Sequence, residues 1–316
     1  MARLKVRNLS DERTFGARIL GVDAQSVKDE AVRQELRDVF DDRGMIVFEG
    51  MEPSDAMQVA LSEVFGPGQD HAMPGVPRVD RDGIPGMIRI AAEPVDTTIF
   101  EIDGEQVAGK VSWHFDACYT EKLNRGGILR ILTIPGEGGM TGFADGVQMY
   151  EALSAEWRAK AEALEVVYSQ ELMLHRQRFG MPENFRLVSL QSEAEALFEL
   201  VRGTKRAIHP AVWQRKTGEN VLHVSPWQAA GLAGRENADG DALLESLIQE
   251  MFSVMDPYWH AWKPDEMVTW DNWRFLHAVS GHPPQYARAV HRTTIKGDYG
   301  FGRFEDDPVG DNAVPA

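Results

Sequence analysis

Sulfur able to form a bridge is almost missing from the chain. Its 316 residues hold one cysteine, Cys118, which excludes an intrachain disulfide and points to a reducing compartment. Positive charge is scarce as well: 33 Lys and Arg stand against 49 Asp and Glu, a formal net charge of −16. A field of that sign repels nucleic acid and anionic membrane surfaces, so any anionic small molecule has to be held by local cations. No run approaches the ~18 apolar residues of a membrane span, and the first residues, MARLKVRNLSDER, lack the apolar centre of a secretory signal. We expect a cytoplasmic protein with neither a nucleic-acid nor a membrane partner. Internal repeats and low-complexity linkers are also absent, which leaves a single catalytic domain over 1–316 as the expectation. What is present, 43% apolar and 26% charged residues, suits a globular chain with a sizeable core.

Periodicity gives a coarse order of elements. Val32, Leu36, Val39 and Phe40 share one helical face, which predicts a helix over 26–43 with Ser26 as N-cap and Gly44 at its stop. MIVFEG then reads as a buried strand and DAMQVALSEVF, after Ser54, as a second helix. MIRIA, VSWHF, GILRILT, EVVYS, ENVLHVS, MVTWD, RFLHAV and AVHRTTI read as strands; ALSAEWRAKAEAL and DALLESLIQEMFSVM read as helices. The polar stretch 92–110 has no clear period and reads as a loop over the mouth of a site, a lid. Residues 305–316 read as a loose tail. Strands scattered among helices without regular βαβ alternation argue against a doubly wound parallel sheet.

The stretch Val111 to Asp116, VSWHFD, sets a histidine and an aspartate two residues apart on a β-favouring run. Side chains at i and i+2 of a strand project to one face, so His114 and Asp116 form a two-toothed grip for a metal. His277, far along the chain in VTWDNWRFLHAVSGH, is the candidate third ligand. Two imidazoles and one carboxylate leave coordination positions free, the arrangement suited to non-haem Fe(II) and oxygen.

Three blocks carry a resemblance: WHFD (113–116), GGILRILTIPGEGGMTGFADGVQMYEALS (126–154) and MVTWDNWRFLHAVSGHPPQYARAVHRTTIKGD (267–298). Together with the weaker RGMIVFEG, VFGPG and AIHPAV, they make the chain resemble the taurine dioxygenase (TauD/TfdA) family over roughly residues 15 to 300. These are Fe(II)- and 2-oxoglutarate-dependent dioxygenases. The resemblance implies a mainly β fold with α, an α+β double-stranded β-helix or jelly roll with helices outside. It also implies Fe(II), 2-oxoglutarate and O2 as cofactor and cosubstrates.

Carried over residue by residue, the resemblance puts His114, Asp116 and His277 on the iron, which makes them the catalytic centre. Arg288 and Thr141 fall on the pair that holds the distal carboxylate of 2-oxoglutarate, and Trp270 on a tryptophan near that cosubstrate. Arg292 and His71 fall on substrate-side positions that receive an anionic head group. Lys110, just upstream of the metal strand, replaces an asparagine and is expected either to add a second cation for the substrate or to point to solvent; Pro74 replaces a tyrosine, and both departures turn the expectation away from taurine itself. The implied reaction is hydroxylation of a small anionic substrate, a sulfonate, an aryloxyalkanoate or another carboxylate, with release of succinate and CO2. Where the attacked carbon carries sulfur or an ether oxygen, that bond is then cleaved. The resemblance further implies a homo-oligomer, a dimer or tetramer.

Two other readings use the same residues. One is a jelly-roll protein that binds metal or a small molecule without catalysis, and the other a Zn-dependent hydrolase with a metal-bound water. A seat for a 2-oxo acid at Thr141 and Arg288 favours the oxygenase over both. The remaining histidines His175, His260, His282 and His291 are expected at the surface or in ordinary hydrogen bonds, His209 in AIHPAV as structural, and Cys118 as a small buried thiol.

Overall fold

The computed structural model describes residues 4–71, 76, 78–80, 84, 86–297 and 302–307. Pro74 and residues 308–316 of the expected tail lie outside the described residues.

Two sheets face each other. The larger runs in the order Lys5–Asn8, Ala17–Leu20, Met45–Glu49, Met267–Asp271, Gly126–Thr133, Arg288–Ile295, Met87–Ala92. Its pairs are antiparallel except that Ala17–Leu20 runs parallel to Met45–Glu49. The smaller has the order Tyr258–His260, Thr141–Asp145, Phe275–Val279, Val111–His114 and is antiparallel throughout. This is the double-stranded β-helix, a jelly roll with helices outside.

Alternation along each strand explains the layers. Met45 and Val47 turn inward to Phe143, Trp270 and Phe275 between the sheets. Ile46 and Phe48 turn outward to Leu36, Phe40, Met57 and Leu61 on helices Glu30–Arg43 and Asp55–Phe65. A strand covered on both faces must be apolar at every position, which is why MIVF is an unbroken run. On the far side of the smaller sheet, Leu276 and Ala144 pack with Leu244, Leu247, Ile248 and Met251 of helix Ala238–Val254. Each large side chain buried this way contributes roughly 2–3 kcal/mol relative to exposure.

Three expectations need correction. The helix predicted over 26–43 begins at Glu30, because the Asp23 carboxylate takes the N–H groups of Gln25 and Ser26 and closes a separate short turn; Asp29, not Ser26, is the N-cap. Gly44 does end the helix, at φ 71°. The stretch 92–110 is not a loop: Ile99–Ile102 and Glu105–Ala108 form a hairpin, extended by Phe185–Ser189 on its other edge. Its turn is Asp103-Gly104, both at positive φ, the two-residue turn that matches strand twist. The chain is also held up to Glu305, the first residue of the expected tail. Arg303–Phe304 pairs with Ala207–Pro210, and Arg206 binds both Glu236 and Glu305.

Candidate metal centre and the cavity around it

His114 and Asp116 converge by a route the strand argument did not foresee. The strand ends at His114, and Asp116 begins the turn that follows. Within the strand, His114 pairs with His277 but Val111 pairs with Val279, so Val111–His114 carries one residue more than its partner. Such a bulge re-aims a side chain. Val111 and His114 therefore both reach the inner cavity, while Trp113 points the other way and packs on Trp259. Beyond His114, Ala117 takes φ +60°, an uncommon backbone for a residue with a side chain. The buried amide of Asn272 clamps Asp116 itself. Its Oδ1 accepts from the Asp116 N–H at 2.7 Å, and its Nδ2 donates to the Asp116 carbonyl at 3.1 Å.

One donor atom from each of His114, Asp116 and His277 lies within 4.8 Å of the others. The Nε2 atoms of His114 and His277 stand 3.8 and 3.6 Å from Asp116 Oδ1. Nδ1 of His114 donates to the Ser112 carbonyl at 2.8 Å, which leaves Nε2 with its lone pair toward the carboxylate. Burial lowers the pKa of both imidazoles, so they are neutral donors. For Asp116 burial pushes the other way, but the charge of Arg292 beside it prevails and holds the carboxyl at about 2. Two neutral nitrogens and a carboxylate on one side of a buried space fit a divalent iron with open positions.

The centre opens into a cavity of about 550 Å³. Alternation along Arg288–Ile295 sends Arg288, Val290, Arg292 and Thr294 into it, while His291 and Thr293 face the helices, where they meet Asp55 and Ser62. Arg292 forks onto Asp116, and its Nε–H has no partner among the described residues. Gly127 makes room for this packing: a Cβ there would lie 3.1 Å from the Trp270 ring and 3.4 Å from Arg292 Nε. Trp270 is fully buried, 4.7 Å from the His277 ring.

Arg288 is buried without a carboxylate partner among the described residues. Its Nε donates to the Gly139 carbonyl at 2.9 Å and its Nη2 to Thr141 Oγ1 at 3.2 Å, and burial pushes its pKa down to about 10. Thr141 Oγ1 also accepts from Trp262 Nε1, at 3.0 Å. With both lone pairs of the hydroxyl engaged, its proton is free to be donated to an acceptor in the cavity.

His71 lines the same cavity; burial, followed by the nearby Arg292, pushes its pKa down to about 4, so its ring is neutral. Lys110 departs from its expected place. It borders a neighbouring cavity, not the one holding Arg292 and His71. His209 and Cys118 stay away from the ligands as expected: His209 Nε2 meets the Thr120 carbonyl, and the Cys118 thiol donates to Gln228 Oε1. His260 and His291 pair with Glu266 and Asp55. Asn272, Trp262 and Trp227 were not singled out from sequence. Asn272 stands inside the quoted WDNW block, a signal that could have marked it; nothing local marks the other two.

Comparison with known proteins adds to this geometry. The family described as taurine catabolism dioxygenase TauD, TfdA family matches residues 5–294. The chain is 28% identical to the (S)-phenoxypropionate/alpha-ketoglutarate-dioxygenase of Sphingobium herbicidovorans over 90% of this chain and 93% of that one. It is also 28% identical to the alkylsulfatase of Acinetobacter baylyi, over 95% of this chain and 87% of that one. A crystal structure of AAD-2 in complex with Mn(II) and N-oxalylglycine superposes with a TM-score of 0.70 at 20% identity, covering 95% of this chain and all of the other. Among the described residues no helix is long and apolar enough to cross a membrane.

Proposed function

The chain belongs to the TauD/TfdA family and is an Fe(II)- and 2-oxoglutarate-dependent dioxygenase; on that premise we propose that His114, Asp116 and His277 hold its iron and that the substrate is a small organic anion received by Arg292 and His71. With O2, the iron supplies the oxidising power that converts 2-oxoglutarate to succinate and CO2 and puts one oxygen atom into a substrate C–H bond. All else falls to the chain's own side chains. Arg288 and the free proton of Thr141 seat the distal carboxylate of 2-oxoglutarate, and Trp270 packs beside it.

The observation that carries this reading is the placing of two unlike cations in one cavity. Arg288 is buried with no carboxylate among the described residues, a ready seat for an anion from outside. Arg292 is committed to Asp116 but keeps an Nε–H with no partner among the described residues, and neutral His71 lines the same cavity. Val111, Ile88, Leu129 and Val290 line the same cavity, apolar walls against which a C–H bond can be held in one orientation. The relatives named for (S)-phenoxypropionate and alkyl sulfate support an aryloxyalkanoate, sulfate ester, sulfonate or other carboxylate. In the ether and sulfur cases the hydroxylated carbon loses its heteroatom substituent.

The test is succinate release with Fe(II), 2-oxoglutarate and O2 across a panel of such anions. At least one anion raises release above the uncoupled background, and His114→Ala and Asp116→Ala each abolish it. Coupled turnover surviving in either variant would remove the ligand assignment.

A further inference from the structure

A second cavity, of about 340 Å³, lies beneath the hairpin of residues 99–108 and shares a wall with the first. Ile90, Val111, Leu172, Trp227, Val279 and Arg288 line both. The rest of its lining is largely apolar, with Phe100, Met173, Leu174 and Leu190 among it. Trp227 stands at the junction with its ring 5.1 Å from that of His114 and its buried Nε1–H unpartnered among the described residues. Lys110 borders this chamber. It is half-buried and makes no hydrogen bond or ion pair among the described residues, and burial pushes its ammonium pKa down.

That is unusual in this chain. With 49 acidic residues available, Arg18, Arg125, Arg130, Arg206, Arg274 and Arg303 each have a carboxylate. An ammonium taken partly out of water without a partner is costly, and the cost is recovered when a ligand brings the counter-charge. The remaining question is which ligand. The cosubstrate already has Arg288 and Thr141 for its distal carboxylate, and the head of the substrate has Arg292 and His71.

Resting on the function proposed above, we infer that the substrate is elongated and carries two anionic ends: one at Arg292 and His71, an apolar body that passes Trp227 into the hairpin chamber, and the other on Lys110. The apolar walls select for a hydrocarbon or aryl spacer, and the lysine selects its charged terminus.

Titration calorimetry on the protein loaded with Mn(II) and 2-oxoglutarate tests this with straight-chain α,ω-dicarboxylates and monocarboxylates of equal length. In the wild type one length of dicarboxylate binds at least about tenfold more tightly than its monocarboxylate partner. In Lys110→Met the pair bind alike, and in Lys110→Arg the preference returns. A wild type that never prefers the dicarboxylate, or a Lys110→Met protein that keeps the preference, overturns the inference. So does a Lys110→Met protein whose affinity for 2-oxoglutarate itself falls, since the lysine would then serve the cosubstrate. Failure of the wild type to take up Mn(II) with 2-oxoglutarate would instead count against the dioxygenase site.

Discussion

The guanidinium of Arg292 grips Asp116 through two contacts, Nη1 to Oδ1 at 3.0 Å and Nη2 to Oδ2 at 2.7 Å, across 176 positions of sequence. The same arginine lines the cavity proposed to receive the substrate anion. Arg292→Met is expected to raise the substrate KM by about tenfold or more, the loss of a charge-assisted contact. The KM for 2-oxoglutarate stays within about twofold. Steady-state kinetics with each concentration varied in turn checks this, and equal rises in both constants would undo the division between Arg292 and Arg288.

Arg288 and Thr141 carry the opposite expectation. Removing the buried guanidinium in Arg288→Met should raise the KM for 2-oxoglutarate by about 10- to 100-fold, and Thr141→Val, which deletes one hydroxyl donor, by about fivefold. A substrate KM that climbs in parallel would place these residues elsewhere in the reaction.

Asn272 is not among the residues lining the cavity, yet both main-chain polar groups of Asp116 are held by its amide. In Asn272→Ala the turn bearing the carboxylate loses that clamp, and metal affinity should fall by about 10- to 100-fold, the scale of an outer-shell hydrogen bond. Mn(II) titration followed by electron paramagnetic resonance measures it, with circular dichroism confirming that the fold is kept. Unchanged affinity in a folded variant would show that the turn holds without Asn272.

Glu266 and its partners do not line the cavity, and they bear on stability. Burial pushes its carboxyl pKa up, but the hydrogen bond and charge of His260, with Lys263 and Arg18, prevail and leave it lower than usual. A depressed carboxyl contributes stability that is present above its ordinary pKa and lost as pH falls through the folded value. Wild type should therefore exceed Glu266→Gln in unfolding free energy at neutral pH, with the gap narrowing toward about pH 4. Denaturant titrations at several pH values check the sign, and a gap that widens on acidification would contradict it.

Much of the site could be read in the sequence because its chemistry is tied to residue type and spacing. His114, Asp116, His277, Arg288, Arg292 and Thr141 all reach one cavity. The geometry behind the first pair was less legible. A strand's period of two explains His-x-Asp only if the strand continues, and here a bulge before His114 and a turn after it do the aiming. The hairpin in 92–110 was missed although Asp103-Gly104 announces a tight turn, because the flanking Ile99–Ile102 is only half-buried and its alternation faint. Trp227 and Lys110 depend on which segments fold over one another, and no local pattern reports that.

The most direct test of the central claim, that these three side chains hold an iron on which 2-oxoglutarate binds, is the visible spectrum of the anaerobic Fe(II) protein as 2-oxoglutarate is added. A weak charge-transfer band should grow to saturation in the wild type and be absent from Asp116→Ala and His277→Ala proteins that remain folded. A flat wild-type spectrum, or an undiminished band in either variant, would contradict the account.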